Sequence, residues 1–200
     1  MNVNDFSSKL IGGGVRPHLF EVTGSLGGSS PQQEGLIPFM VKAAQLPAST
    51  VGMIEVPYRG RKIKIPGDRT FAEWTITVIA DGNFELRDGF EDWMSRINSH
   101  AGNVSNDAAH RPGQSTGPVY ADWEINQLAR DGGVLKSYKL MHCFPTEVSA
   151  MDVSYETTDS IHEFTVTLQY SYWTALGKKS SFGGSVTDGD QPSGQKFTNT

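Results

Sequence analysis

Along positions 70–80, TFAEWTITVIA, Trp74, Ile76 and Val78 fall on one side of an extended chain and Thr75 and Thr77 on the other. Alternation with period two predicts a half-buried strand. The same pattern runs through 162–173, HEFTVTLQYSYW. There Phe164, Val166, Leu168, Tyr170 and Tyr172 alternate with Thr165, Thr167, Gln169 and Ser171. Weaker alternation predicts strands over 16–24, 119–128 and 134–144. Trp123 and Ile125 point inward in the second, and Tyr138, Leu140, His142 and Phe144 share a face in the third. The stretch 151–157, MDVSYET, reads as a further short strand, after a turn at PTEVSA. LIPFMVKAAQLP, 36–47, is apolar enough for another strand, with Pro38 near its start and Pro47 closing it.

Two runs, 51–59 and 61–67, flank Gly60 and predict a β-hairpin with Gly60 at its turn. Ile63 and Ile65 occupy one face of its second strand, Lys62 and Lys64 the other. Pro57 and Pro66 each remove a ladder donor, so the hairpin is expected to project rather than join a central sheet. After residue 80 the period changes. Leu86, Phe90, Trp93 and Ile97 recur at helical spacing and predict a helix over 84–97 that covers an open flank of the strands. Asp81 or Asn83 can cap it, and Gly89 should weaken it by about 1 kcal/mol relative to Ala.

The remaining segments are polar and rich in Gly and Ser. They read as an N-terminal arm (1–14), a loop (25–35), a long soft loop (99–118) and a C-terminal extension (177–200) outside a body of 15–176. The fold class this predicts is mainly β: an antiparallel sandwich or barrel with one flanking helix and one projecting hairpin.

Charge and composition narrow the function. The chain carries 17 Lys and Arg against 22 Asp and Glu, a net charge of −5, which argues against bulk adhesion to DNA or to an anionic membrane. No apolar run approaches the ~20 residues that span a bilayer, and the N-terminus has no secretion-signal pattern. A single cysteine, Cys143, permits no internal disulfide and no cysteine-based zinc site.

Catalytic constellations are thin. His18, His100, His110, His142 and His162 are scattered, and no HExxH, CxxC, GxSxG or phosphate-loop pattern occurs. Glu91 and Asp92 read as a solvated helix face, and Cys143 as a small core residue. No cofactor or metal is expected.

One feature runs against the overall charge. RGRKIKIPGDRTF, 59–71, holds Arg59, Arg61, Lys62, Lys64 and Arg69 against one acid, Asp68. A solvated face, a nucleic-acid contact and an arm that docks on an acidic surface of another copy all fit. The nucleic-acid reading lacks companion aromatics for base stacking, since only Tyr58 and Phe71 flank the run.

Taken in order, RPHLF, AQLP, RKIKIPGDRTFAEWTITV, the helix ending FEDWMSRIN, and SYKLMHCFPTEVSAMDVSYETTDSIHEFTVTLQYSYW resemble the tail tube proteins of contractile-tailed, T4-type bacteriophages. The likeness spans roughly 15–174. Loops 25–35 and 99–118 and the tail beyond Leu176 depart from that pattern.

The resemblance implies a structural subunit without catalysis, forming hexameric rings stacked into a tube. It implies neighbouring sheets joined into a lumen wall and a surrounding sheath. It further implies tape measure protein and genomic double-stranded DNA in the lumen, contacts with baseplate and tail terminator proteins, and no membrane. Such a protein is a component of the virion tail, assembled in the host cytoplasm. On this reading Arg59, Arg61, Lys62, Ile63, Lys64 and Ile65 meet the adjacent ring, while Asp68 and Arg69 brace the arm where it returns to the body. Thr75, Thr77, Thr165, Thr167, Gln169 and Ser171 are expected to face the lumen, because Lys or Arg there would grip phosphates. The inner tube of a genome-free contractile injection particle would read the same way, and a small nucleic-acid-binding β domain is the alternative of a different class.

Overall fold

A computed structural model describes residues 2–9, 14–28, 31–100, 102 and 119–177. In chain order these form α1 (Val3–Lys9), β1 (Phe20–Gly24), α2 (Pro31–Met40), β2 (Val41–Ala44), β3 (Ser49–Tyr58) and β4 (Arg61–Phe71). There follow β5 (Trp74–Ile79), α3 (Glu85–Ile97), β6 (Ala121–Leu128), β7 (Val134–Val148), β8 (Glu163–Gln169) and β9 (Tyr172–Gly177). Seven strands hydrogen-bond in the order β1-β6-β7-β8-β5-β2, with β9 added on β7; β3 and β4 form a separate ladder. Every pairing is antiparallel.

The long strand β7 gives this sheet its two halves. Its first part pairs with β6 and β9, and residues 144–148 pair with β8. Between them His142 adopts φ 56°, and its backbone N–H donates to the Asp122 carboxylate at 3.2 Å. An extra residue at this bend re-aims the strand, and the sheet folds over on itself. Trp74 of β5 and Trp123 of β6, from opposite halves, meet edge to face at 5.9 Å.

The core is built by the alternation that the sequence displays. Trp74, Ile76 and Val78 of β5 sit beside Leu168, Val166 and Phe164 of β8 in direct register, all buried. Helix α3 closes the open flank. Phe90 stacks on Trp123 at 6.0 Å and meets Phe164 at 6.4 Å, so it touches both halves of the sheet. Leu86 and Trp93 are fully buried beside it, and Ile97 is partly buried against the same cluster. The Asp81 carboxylate caps the helix, accepting from the backbone N–H of Glu85 at 3.0 Å and of Leu86 at 3.4 Å.

Gly89 has a packing reason that propensity alone hides. A Cβ there would lie 2.8 Å from Leu26 Cδ1, a side chain with no exposure. Gly89→Ala is therefore expected to lose stability instead of gaining the ~1 kcal/mol that helix propensity offers. Chemical denaturation of the two proteins checks the sign.

Several expectations are corrected. Residues 31–40 are helix α2, not the first part of a strand over 36–47; only Val41–Ala44 is extended. Val3–Lys9 is helical, so the described residues contain three helices, not one. Residues 70–71 belong to β4, and β5 begins at Trp74. PTEVSA is not a turn, because β7 runs on through Pro145 to Val148, and 151–157 is not a strand. The bend at His142 places Cys143 in the core in place of His142. The expected strand 162–173 is two strands, with β9 paired to β7, and Tyr172 is 42% exposed instead of facing the core. Most of loop 99–118 and residues 178–200 lie outside the described residues.

Candidate assembly surfaces

The hairpin β3–β4 stands off the body. All ten residues of β3 are exposed. Its turn places Arg59 at φ 45° and Gly60 at φ 81°, the two positive φ values that let a two-residue hairpin follow the strands' right-handed twist. The Arg59 guanidinium lies over the Tyr58 ring at 5.5 Å. Nearer the body, Val51 pairs with Arg69 and Met53 with Pro66, so Gly67 and Asp68 together oppose the single residue Gly52 and the extra residue lies in β4. A Cβ on Gly67 would come within 3.2 Å of the Gly52 backbone. The two glycines permit this close approach.

Direct pairing of Ile54 with Ile65 and Val56 with Ile63 puts these four on one face of the hairpin, with Tyr58 and Arg61 beyond them. All four are 42–55% exposed. Glu55, Lys62 and Lys64 share the opposite face. There Lys62 Nζ is 2.6 Å from Glu55 Oε2, so one predicted docking cation is already paired within the arm. Asp68 and Arg69 lie inside β4 and form no ion pair with a described residue. At the root, Phe71 packs on the core cluster and meets the Tyr170 ring at 5.9 Å.

A second surface is the outer face of β2, β5, β8 and the end of β7. Thr75 opposes Thr167, with hydroxyls 3.5 Å apart, and Thr77 opposes Thr165. Gln169 continues the row, and Ser171 is exposed just beyond β8. Their neighbours on the inner side, Val166 and Leu168, are fully buried. This quarter of the molecule ends in two unpaired edges among the described residues. β2 pairs only with β5, and 144–148 of β7 pair only with β8.

A third surface did not emerge from sequence reasoning. Residues 149–162 connect β7 to β8 without regular structure, and residues 152–163 are exposed without interruption. Val153, Tyr155 and Ile161 are 85%, 107% and 71% exposed. The signal was present in DVSYETTDSIHE, 152–163, which has Asp152, Glu156, Asp159 and Glu163 and no Lys or Arg. Apparent alternation over 151–157 obscured it.

Among the described residues, no group of His, Cys, Asp or Glu is clustered to hold a metal ion. Burial, the largest influence, pushes the Cys143 thiol up to about 12, against a weaker lowering by a backbone hydrogen bond from Trp123. A thiol held neutral in the core is not a nucleophile. Its ordinary value of 9.0 applies when unfolded. The unfolded chain therefore loses this proton first as pH rises, and folding stability from this group falls between about pH 9 and 12. A thiol-specific reagent at pH 8 should label Cys143 only after denaturation; rapid labelling of the native protein would contradict the burial. No described helix is long and apolar enough to cross a membrane.

A two-layered β body with a projecting arm and, among the described residues, open sheet edges has surfaces suited to a larger array of copies. Comparison with known proteins gives the array. A family model described as phage tail tube protein matches residues 3–176. The chain is 34% identical over 164 residues to tail tube protein gp19 of Enterobacteria phage T4, covering 80% of this chain and 90% of that protein. It is 30% identical over 172 residues to the tail tube protein of Serratia phage KSP90, covering 84% and 93%.

The same fold occurs in a chain of the anti-feeding prophage baseplate, at TM-score 0.61 and 15% identity, covering 83% of this chain and 97% of that one. It also occurs in the sheath–tube complex of an extracellular contractile injection system, at TM-score 0.59 and 16% identity, covering 86% and 97%. The chain belongs to the phage tail tube protein family. The family match ends at residue 176, two residues beyond the roughly 15–174 that the sequence resemblance spans.

Proposed function

We propose that this chain is the structural subunit of a phage tail tube, in which copies close into hexameric rings and the rings stack into a conduit for the genome within a contractile sheath. The observation that carries this reading is the β2-β5-β8-β7 quarter. It has an outward face of short, weakly polar side chains and an unpaired edge on each side. Edge-to-edge pairing between copies satisfies the free backbone groups of β2 and of 144–148, and it lines the resulting channel with Thr75, Thr77, Thr165, Thr167 and Gln169. Ser171 lies at its margin. These side chains carry no positive charge, and Lys42 on β2 is paired with Glu163 of β8, so the wall offers phosphates no free cation and DNA passes without being gripped.

The arm reaches the adjacent ring with Arg59, Arg61, Lys62, Lys64, Ile63 and Ile65, and Asp68 and Arg69 stiffen its base. Such a contact is heterologous and propagates instead of closing. Sheath, baseplate, terminator and tape measure proteins are the partners, the virion tail is the location, and assembly takes place in the host cytoplasm.

Negative-stain microscopy of the purified protein should show six-fold rings or tubes, and a strictly monomeric protein at high concentration would refute the reading. The lumen assignment has its own test. Tubes of Thr165→Arg should retain double-stranded DNA at low salt, whereas tubes of the unaltered chain should not. Equal DNA retention by both would place residue 165 outside the channel.

A further inference from the structure

The arm is a two-stranded sheet with an apolar face that nothing in its own chain covers. Ile54, Val56, Ile63 and Ile65 remain about half exposed in direct cross-strand pairs. Contiguous apolar surface of this kind marks a binding face. At its tip are Arg59 and Arg61, neither of which has an ion-pair partner among the described residues. The occupant must therefore be apolar at its centre and acidic at its rim.

One segment of the same chain has that character. The 149–162 connection offers Val153, Tyr155 and Ile161 to solvent. Asp152, Glu156 and Asp159 among them have no ion-pair partner among the described residues.

The arm cannot reach this segment in its own chain by the shortest route, and the strand register shows why. The arm enters β5 just before Trp74, which pairs with Leu168; the acidic connection enters β8 at Glu163, which pairs with Ile79. The two therefore sit at opposite ends of one ladder of six residue pairs, about 20 Å long at the usual rise per residue. A cationic apolar face at one end and an anionic apolar loop at the other are complementary only between copies translated along the strands.

We propose that the apolar face of the β3–β4 arm seats on the 151–162 loop of the copy in the next ring. Ile54, Ile63 and Ile65 lie against Val153, Tyr155 and Ile161, while Arg59 and Arg61 face Asp152 and Glu156. This rests on the ring-stacking reading above and adds the identity of the seat. Lys62 and Lys64 are not part of this seat, because they lie on the arm's other face, where Glu55 pairs with Lys62. The contact orders the stack head to tail, and salt weakens it as exposed charges are screened.

The test is a charge exchange within one chain. Three proteins are prepared: Arg59→Glu with Arg61→Glu, Asp152→Lys with Glu156→Lys, and all four changes together. Tube length and sedimentable polymer are measured at low salt beside the unaltered chain. All the changed positions are exposed, so each protein is expected to fold with an unchanged melting temperature. Each pair of reversals alone should leave single rings with at least a tenfold loss of sedimentable polymer. The fourfold chain, whose charges are again complementary, should recover tubes.

A second measurement does not depend on charge. Ile63→Cys with Tyr155→Cys, oxidised as assembled tubes, should give a ladder of covalently linked copies on a non-reducing gel, and dispersed rings should not. Rings that form but whose tubes survive loop reversal, or are not restored in the fourfold chain, would place the seat elsewhere while leaving the tube reading intact. Absence of rings in the unaltered protein would remove the tube reading and the seat with it.

Discussion

Trp93→Ala is expected to cost about 3–5 kcal/mol, the range for truncating a large buried aromatic. Domains of this kind are stable by only ~5–15 kcal/mol, so soluble protein should be lost before any defect in assembly is visible. Two contributions combine. The ring is fully buried and stacks on Phe90 at 6.4 Å, so its removal opens a cavity under α3. In addition its Nε1–H donates to the Val119 carbonyl at 2.7 Å, and the mutation leaves that buried acceptor unpaired. Trp93→Phe keeps a ring and loses the donor, so its smaller loss should isolate the hydrogen bond. Thermal melting and soluble yield read both. An unchanged melting temperature for Trp93→Ala would mean that α3 does not pack on the core.

Gly24→Ala should be nearly as damaging, although it adds one methyl group. A Cβ at Gly24 would stand 2.3 Å from Trp123 Cδ2 and 2.6 Å from Cε2 and Cε3. The indole cannot step aside. Phe90 stacks on it, Trp74 meets its edge, and its Nε1–H donates to the Ser25 carbonyl at 3.0 Å. Relief must come from the backbone of β1, which pairs Gly24 directly with Trp123. Overpacking of this kind costs ~1–3 kcal/mol where the core can adjust, and here the expected loss is at the upper end or beyond. Denaturant unfolding of Gly24→Ala against the unaltered chain measures it. A loss below about 1 kcal/mol would show that β1 shifts freely on β6.

Both residues bear on what was legible in the sequence. Alternation records which face a side chain occupies, and it read β5, β8 and the inner side of β6 correctly because each has one wet face and one buried face. It does not record the hydrogen-bonding partner. Thr70 and Phe71 were therefore merged with β5, since only Ala72 and Glu73 separate the two strands. The break at Tyr170–Ser171, where the chain leaves β8 and joins β7 through β9, was invisible for the same reason. At β7 the single residue His142 shifts the phase, so that Cys143 is buried in its place, while Tyr138 and Phe144 are only partly buried against the core.

Helix α2 escaped because its apolar residues Leu36, Ile37, Phe39 and Met40 run together without a stripe and Pro38 interrupts them. Pro31 at its first position was the available signal. Of the candidate surfaces, the arm was legible through its glycine turn and clustered cations, and the threonine faces through alternation. The 149–162 connection was not, because an exposed apolar connection differs from a strand only in three dimensions. Nor does any period report a contact such as Gly24 on Trp123.

The shared strand β7 has a consequence for how the molecule opens. Its amides are held by β6 and β9 along one part and by β8 along the other, so neither half of the sheet can separate without breaking a ladder anchored in both. Hydrogen exchange at residues 136–141, held on both sides by β6 and β9, is then expected to proceed only through opening of the whole molecule, at the slowest rate in the chain. The β3–β4 ladder shares no strand with the body, and its amides exchange through local fraying. A free subunit thus combines a body that opens as one unit with an arm that opens alone, and the arm's exchange should slow only when a second copy covers it.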